Sequence, residues 1–292
     1  PPQLESEQES QQASQLEQAE EDGATVMVES PYNNNVDKFE NPTSFLDLEL
    51  KVAGLPKPLM LNRLILADAS LYLKEHMGDP TEKMTKLVWE FDTSSEVDRE
   101  ALVTALRFCY GESMALGMQN GECFAVFVAL RRLQVTHLDE VEELLREFVC
   151  GQALQDVAAG AALLKACSRF SGDYGAEETA LDLTLARTVL TARNITEYYQ
   201  EVVQDCLMTL PHRYLDCVQY GAPHTRNSEF SLRMAYVRYN GDHLDLAEKQ
   251  AILSKCDFRS LNRQELGELR RADIIDNDVL LEAYDSALTH TE

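Results

Sequence analysis

Apolar residues change period part-way along this chain, and that change constrains the fold more than any other feature. In FLDLELKV, residues 45–52, Leu46, Leu48 and Leu50 alternate with Asp47, Glu49 and Lys51. That is the two-residue period of a half-buried strand. From Val97 the period lengthens to that of a helix, with Ala101, Ala105 and Cys109 on one stripe beside Leu102, Leu106 and Phe108. After Gly151 strand patterns disappear. Apolar residues then recur at helical spacing through 153–170, 178–193, 195–209, 212–220, 228–239, 245–254, 263–270 and 277–288. The pattern predicts an α+β first domain, a small sheet flanked by helices, over 43–150, and an all-α domain over 151–292.

Local signals fill in the first domain. Ala53-Gly54 marks a turn, LPKPLM (55–60) reads as a short edge strand that tolerates its prolines, and KLVWEF (86–91) reads as a third strand with the single Trp. Between them LNRLILADASLYLKEH (61–76) has two apolar bursts separated by ADAS, the pattern of two short helical turns around a bend. Ser95 stands three residues before Asp98 in a capping-box arrangement, and Gly111 ends that helix. Helices are expected over 121–134 and 137–150, with Phe127 facing the core and Met118 on a loop between Gly117 and Gln119. In the second domain Asn194, Asp245 and Asn262 each precede a Glu by three residues and read as N-caps.

Residues 1–42 form an acidic tail. The first 24 are Gln, Glu and Ser with little to bury and are expected to be mostly disordered. Residues 25–42 continue irregularly, with TVMV as a candidate strand.

The charge balance narrows the function classes. There are 50 Asp+Glu against 26 Lys+Arg, a formal net charge of -24. A nucleic-acid binder needs cations to displace phosphate counterions, and an anionic membrane surface repels an acidic chain, so neither partner is expected. No apolar run approaches the roughly 20 residues that span a bilayer. The N-terminus has neither the basic nor the apolar region of a secretory signal. The seven cysteines are scattered and form no C-x-x-C pair, as befits reduced thiols in an intracellular, cytoplasmic setting, with nuclear or cytoskeletal placement as alternatives.

Catalytic constellations are missing from the sequence. The six histidines show no H-x-x-x-H spacing, and there is no G-x-S-x-G, Walker loop or G-x-G-x-x-G. Neither an enzyme nor a cofactor or metal is expected.

The order of strand, turn, strand, LNRLILADASLYL, strand and a helix ending FCYG resembles the BTB/POZ domain over roughly residues 45–150. Asp47 stands at the family's strand aspartate, Arg63 at its basic position and Ile65-Leu66-Ala67 at Val-Leu-Ala. Ser70 and Tyr72 hold the serine and the aromatic, and Leu133-Gln134-Val135 matches a Leu-Gln-Val step. Residues 151–292, through LMTLPHRYLDCV, SEFSLRMAYVRY and EKQAILSKCDFRSLNRQEL, resemble the BACK-type helical extension. Two positions depart from the pattern: Asn62 replaces the family's histidine, and Ala125 stands where cullin-binding members carry an acid, with Glu122 nearby.

The resemblance implies protein partners, self-association as a homodimer, and a charged pocket of Asp47, Arg63 and Asn62 near the dimer interface; the plainer reading of that pair is a core-edge ion pair. It also implies partner docking through Met118, Glu122, Cys123 and Phe124. A substrate-adaptor role on a cullin-type ubiquitin ligase follows from the family, and Ala125 speaks against the cullin. The alternative is a structural scaffold subunit of an intracellular or cytoskeletal assembly without ligase function.

Overall fold

In the computed structural model, residues 25–40, 47–76, 87–91, 96–117, 121–170 and 180–289 are described. The chain divides into two compact units: Pro1–Val149 with Arg169–Ala176, and Cys150–Ser168 with Glu177–Glu292.

The first unit is mixed. Strand β2 (Leu48–Val52) turns Leu48, Leu50 and Val52 into the core and leaves Glu49 and Lys51 outside it, as the pleat requires. It pairs antiparallel with β3 (Leu59–Leu61) and parallel with β4 (Leu87–Phe91), giving the sheet order β3-β2-β4. The turn after β2 places Gly54 at φ 84°, where a Cβ would also come 2.8 Å from Nη1 of Arg99. The second strand is shorter than LPKPLM predicts. Pro56 and Pro58 precede it, because a residue without an N–H cannot donate to the ladder.

The parallel pairing of β2 with β4 requires a crossover, and LNRLILADASLYLKEH lies within it. Helix α2 (Arg63–Ala69) and helix α3 (Leu71–His76) meet at Ser70, as the ADAS interruption predicts. Ser70 forms an isolated bridge to Val135, its hydroxyl donates to the Leu133 carbonyl, and it accepts from Leu73 N at 3.1 Å. Leu71 N donates to Gln134 O (3.1 Å) and Thr136 N to Ala69 O (3.0 Å), so both sides of the bend are tied to one turn.

That turn joins α5 (Glu122–Arg132) to α6 (Leu138–Gln155). In α5 every residue from Cys123 to Leu130 is buried, Phe127 among them. Helix α4 (Glu96–Cys109) adds Ala101, Leu102, Ala105, Leu106 and Phe108 to the same core. The Ser95 cap lies outside the described residues.

The candidate strand TVMV forms in residues 25–42, and a short helix departs from the irregular course expected there. Strand β1 (Thr25–Val28) pairs antiparallel with β5 (Met114–Gly117), and a short helix α1 (Val36–Glu40) follows. Residues between them are tied down one by one. Ser30 Oγ donates to Phe108 O (2.8 Å), Asn35 N to Tyr110 O (2.7 Å), and the Tyr32 ring packs edge-on to Phe108 with centroids 5.9 Å apart. These contacts draw on partners 75–78 residues away, which no local pattern reveals.

The described part of the second unit contains helices and no strand. Helix α7 (Val157–Ser168) starts afresh after Asp156, whose Oδ1 accepts from Ala158 N and Ala159 N, so 153–170 is not one helix. Helix α8 (Leu181–Val189) is followed by α9 (Ala192–Glu197), a π turn (Tyr199–Gln204) and two 3₁₀ turns (Leu207–Thr209, His212–Cys217) where sequence predicts longer helices. Thr191 caps α9, and Asn194 lies inside it with its amide donating to Val189 O (3.0 Å). Helix α10 (Glu229–Tyr239) precedes α11 (Leu246–Leu253) and α12 (Arg263–Ala272), which carry the Asp245/Glu248 and Asn262/Glu265 capping boxes. Helix α13 (Asn277–Thr289) completes the described chain. No described helix is long and apolar enough to cross a membrane.

Candidate functional site

The N-terminal end of α2 gathers all three residues of the expected charged pocket. Asp47 immediately precedes β2, and Asn62 and Arg63 follow β3, so strand pairing sets them side by side. One carboxylate grips Arg63 twice: Oδ1 accepts its backbone N–H at 2.9 Å and Oδ2 accepts Nε at 2.8 Å. The Asn62 side chain accepts from Leu64 N (3.0 Å) and Ile65 N (3.2 Å), while its carbonyl accepts from Leu66 N (3.3 Å). The Arg63, Leu64 and Ile65 N–H groups, which the first turn of the helix leaves unpaired, are therefore satisfied by Asp47 and Asn62. Arg63 is 1% exposed, and the Asp47 side chain keeps 30% of its surface open.

Tyr110 completes the cluster. Its hydroxyl oxygen accepts from Asn62 N at 2.7 Å. Burial pushes its pKa up to about 12; the Asn62 bond opposes this and the Asp47 charge adds to it, so the phenol stays neutral at physiological pH. The FCYG ending contains this residue but gives no hint of its contact with Asn62, 48 residues away.

The sequence matches no protein-family model and no curated protein.

Chemically the cluster is closed. Its amides, carboxylate and guanidinium bind one another, and the pair is expensive to open because Arg63 without Asp47 would lose a charged partner while out of water. Its consequence lies outside it: with Leu66 and Ala69 turned inward, α2 presents Leu64 at 60% exposure, and α3 presents Leu71 at 50%.

The expected docking residues fare differently. Cys123 and Phe124 are fully buried in α5, where they pack in the core. The helical period that places Phe127 inside takes its neighbours inside as well. Glu122 is exposed in the first turn of α5, and Met118 lies outside the described residues. Ala125 is buried beside Phe124.

Among the described residues the cysteines form no disulfide, and burial pushes the thiol pKa values of Cys109, Cys123, Cys206 and Cys256 up to about 12. Such thiols are protonated and unreactive near neutral pH. Among the described residues there is no group of three or more His, Cys, Asp and Glu side chains arranged to hold a metal.

Proposed function

We propose that this chain is a non-enzymatic protein-interaction module of BTB/POZ type with a BACK-type extension, and that it self-associates through the α2–α3 hairpin. The observation that carries this reading is the pair of leucines, Leu64 and Leu71, displayed on a hairpin whose other face is locked to the core. Fixing an apolar side chain on a rigid base lowers the ordering cost of association. The parallel β2–β4 pairing, with the hairpin lying between those strands in sequence, supports the family assignment. Two copies carrying different affinity tags, co-expressed and captured through one tag, should bring down each other. The Leu64→Asp/Leu71→Asp double variant should lose the second copy, and capture unchanged by it would refute the hairpin as the contact.

A substrate-adaptor role and a scaffold role both build on such a module. Burial of Cys123, Phe124 and Ala125, where the resemblance places cullin docking, favours the scaffold. Capture from native cells followed by mass spectrometry separates the two, since an adaptor recovers a cullin and a scaffold recovers structural subunits without one.

A further inference from the structure

The π turn of the second unit forms one wall of a cavity of about 460 Å³ whose lining includes Tyr199, Gln200, Asp205, Met208 and Tyr239. A π turn widens the backbone by one residue and is found disproportionately at functional sites. Here Asp205 N donates to Gln200 O, five residues back, at 2.9 Å, and the Gln200 amide donates to Asp205 Oδ1 at 3.1 Å. These two bonds hold the Asp205 carboxylate at the cavity, with no hydrogen bond to Oδ2 among the described residues. Met208 is buried, while the Tyr239 ring is 62% exposed and makes no hydrogen bond or ring contact among the described residues. Two cations of the same unit already use this corner. The Arg226 guanidinium lies 4.4 Å from the centre of the Tyr199 ring, and Lys165 Nζ donates to the Asp205 carbonyl at 3.3 Å.

We propose that this cavity receives a lysine or arginine side chain from a basic segment of a partner protein, with the Tyr239 ring under the cation and the Asp205 carboxylate beside it. Aromatic faces attract ammonium and guanidinium groups through the ring quadrupole, and a neighbouring carboxylate adds a charge-assisted hydrogen bond. Arg226 over Tyr199 is the same interaction made internally. The net charge of -24 steers a basic segment toward the chain and turns an acidic one away. A flexible side chain entering a pocket between tyrosines is also how protein interfaces commonly anchor. The site stands on the second unit alone and does not rest on self-association.

Fluorescence anisotropy with the full chain and labelled peptides of equal length, one alternating Lys and Arg with Gly and one with Ser in place of the cations, tests it. The basic peptide should bind at least about tenfold more tightly than the neutral one near physiological salt. Tyr239→Ala changes no charge and should weaken it about fivefold, Tyr239→Phe should retain it, and Asp205→Asn should weaken it similarly. The Leu64→Asp/Leu71→Asp variant should bind the peptide as wild type, so loss of self-association and loss of this site are read separately. Equal binding of both peptides overturns the proposal. So does wild-type affinity in both Tyr239→Ala and Asp205→Asn, since the peptide would then be held by general acidity alone.

Discussion

Arg63 is the bulkiest of the fully enclosed side chains among the described residues, and Asp47 helps hold its guanidinium out of water by accepting from Nε while also accepting from the Arg63 backbone N–H. Asp47→Ala should therefore cost about 3 kcal/mol, the lower end of the range for breaking a buried pair, because Asp47 itself is partly wet. The single Trp, Trp89, falls in the first unit, so urea unfolding followed by its fluorescence reads that cost directly. Arg63→Lys keeps the charge but loses the planar donor and should fall between wild type and Asp47→Ala. Asp182 is a stricter case in the second unit: fully enclosed, it accepts from the Tyr214 hydroxyl at 2.8 Å and pairs with Arg213. Asp182→Ala should cost about 3–5 kcal/mol by far-UV circular dichroism during thermal unfolding. The Asp47–Arg63 pair was legible as residues with complementary charge at family-like positions. Asp182 was not, because an aspartate on a helical stripe looks like any solvated one until its tertiary partners are known.

At the scale of elements, the bend between α2 and α3 depends on Ser70, whose hydroxyl donates to Leu133 O and accepts from Leu73 N. Ser70→Ala leaves a buried carbonyl without its partner and should cost about 1–3 kcal/mol, measured in the same fluorescence assay. Asp216 ties a different pair of elements, accepting from Arg233 at 3.0 Å and from Lys255. Partial burial alone would raise its pKa, but the Lys255 and Arg233 hydrogen bonds and charges outweigh it, and the net shift is downward. A depressed carboxylate contributes stability above its unfolded value of about 3.9 and loses it as pH falls through the lower folded value. Thermal stability followed below about pH 5 should thus fall less steeply in Asp216→Asn than in wild type.

Elements with a strong local signature were readable from sequence: the alternation of β2, the interrupted 61–76 segment, and the capping boxes at Asp245 and Asn262. Those that failed were fixed by distant partners. β5 is four residues with only Met114 and Leu116 alternating inward, and it exists because β1 pairs with it. The π turn breaks a stretch whose apolar spacing reads as continuous helix, and a one-residue widening leaves that spacing almost unchanged. Cys123 and Phe124 are buried together with Phe127 along α5, a burial that the whole apolar run from Cys123 to Leu130 shares.

For the whole molecule, the formal charge of -24 opposes any contact between two copies, whereas the exposed leucines favour one. Salt screens the first and leaves the second nearly untouched. Self-association should tighten as ionic strength rises from about 0.05 M to about 0.5 M, while the basic peptide should bind more weakly over the same range. Opposite salt responses of the two activities would be hard to obtain from a single nonspecific electrostatic surface.

Static light scattering coupled to size-exclusion chromatography, at tens of micromolar protein and moderate salt, tests self-association through the hairpin most directly. The wild-type chain of 32.9 kDa should elute with twice its own mass and the Leu64→Asp/Leu71→Asp variant with that of one chain. A wild type that remains monomeric, or a variant that remains dimeric, would contradict it.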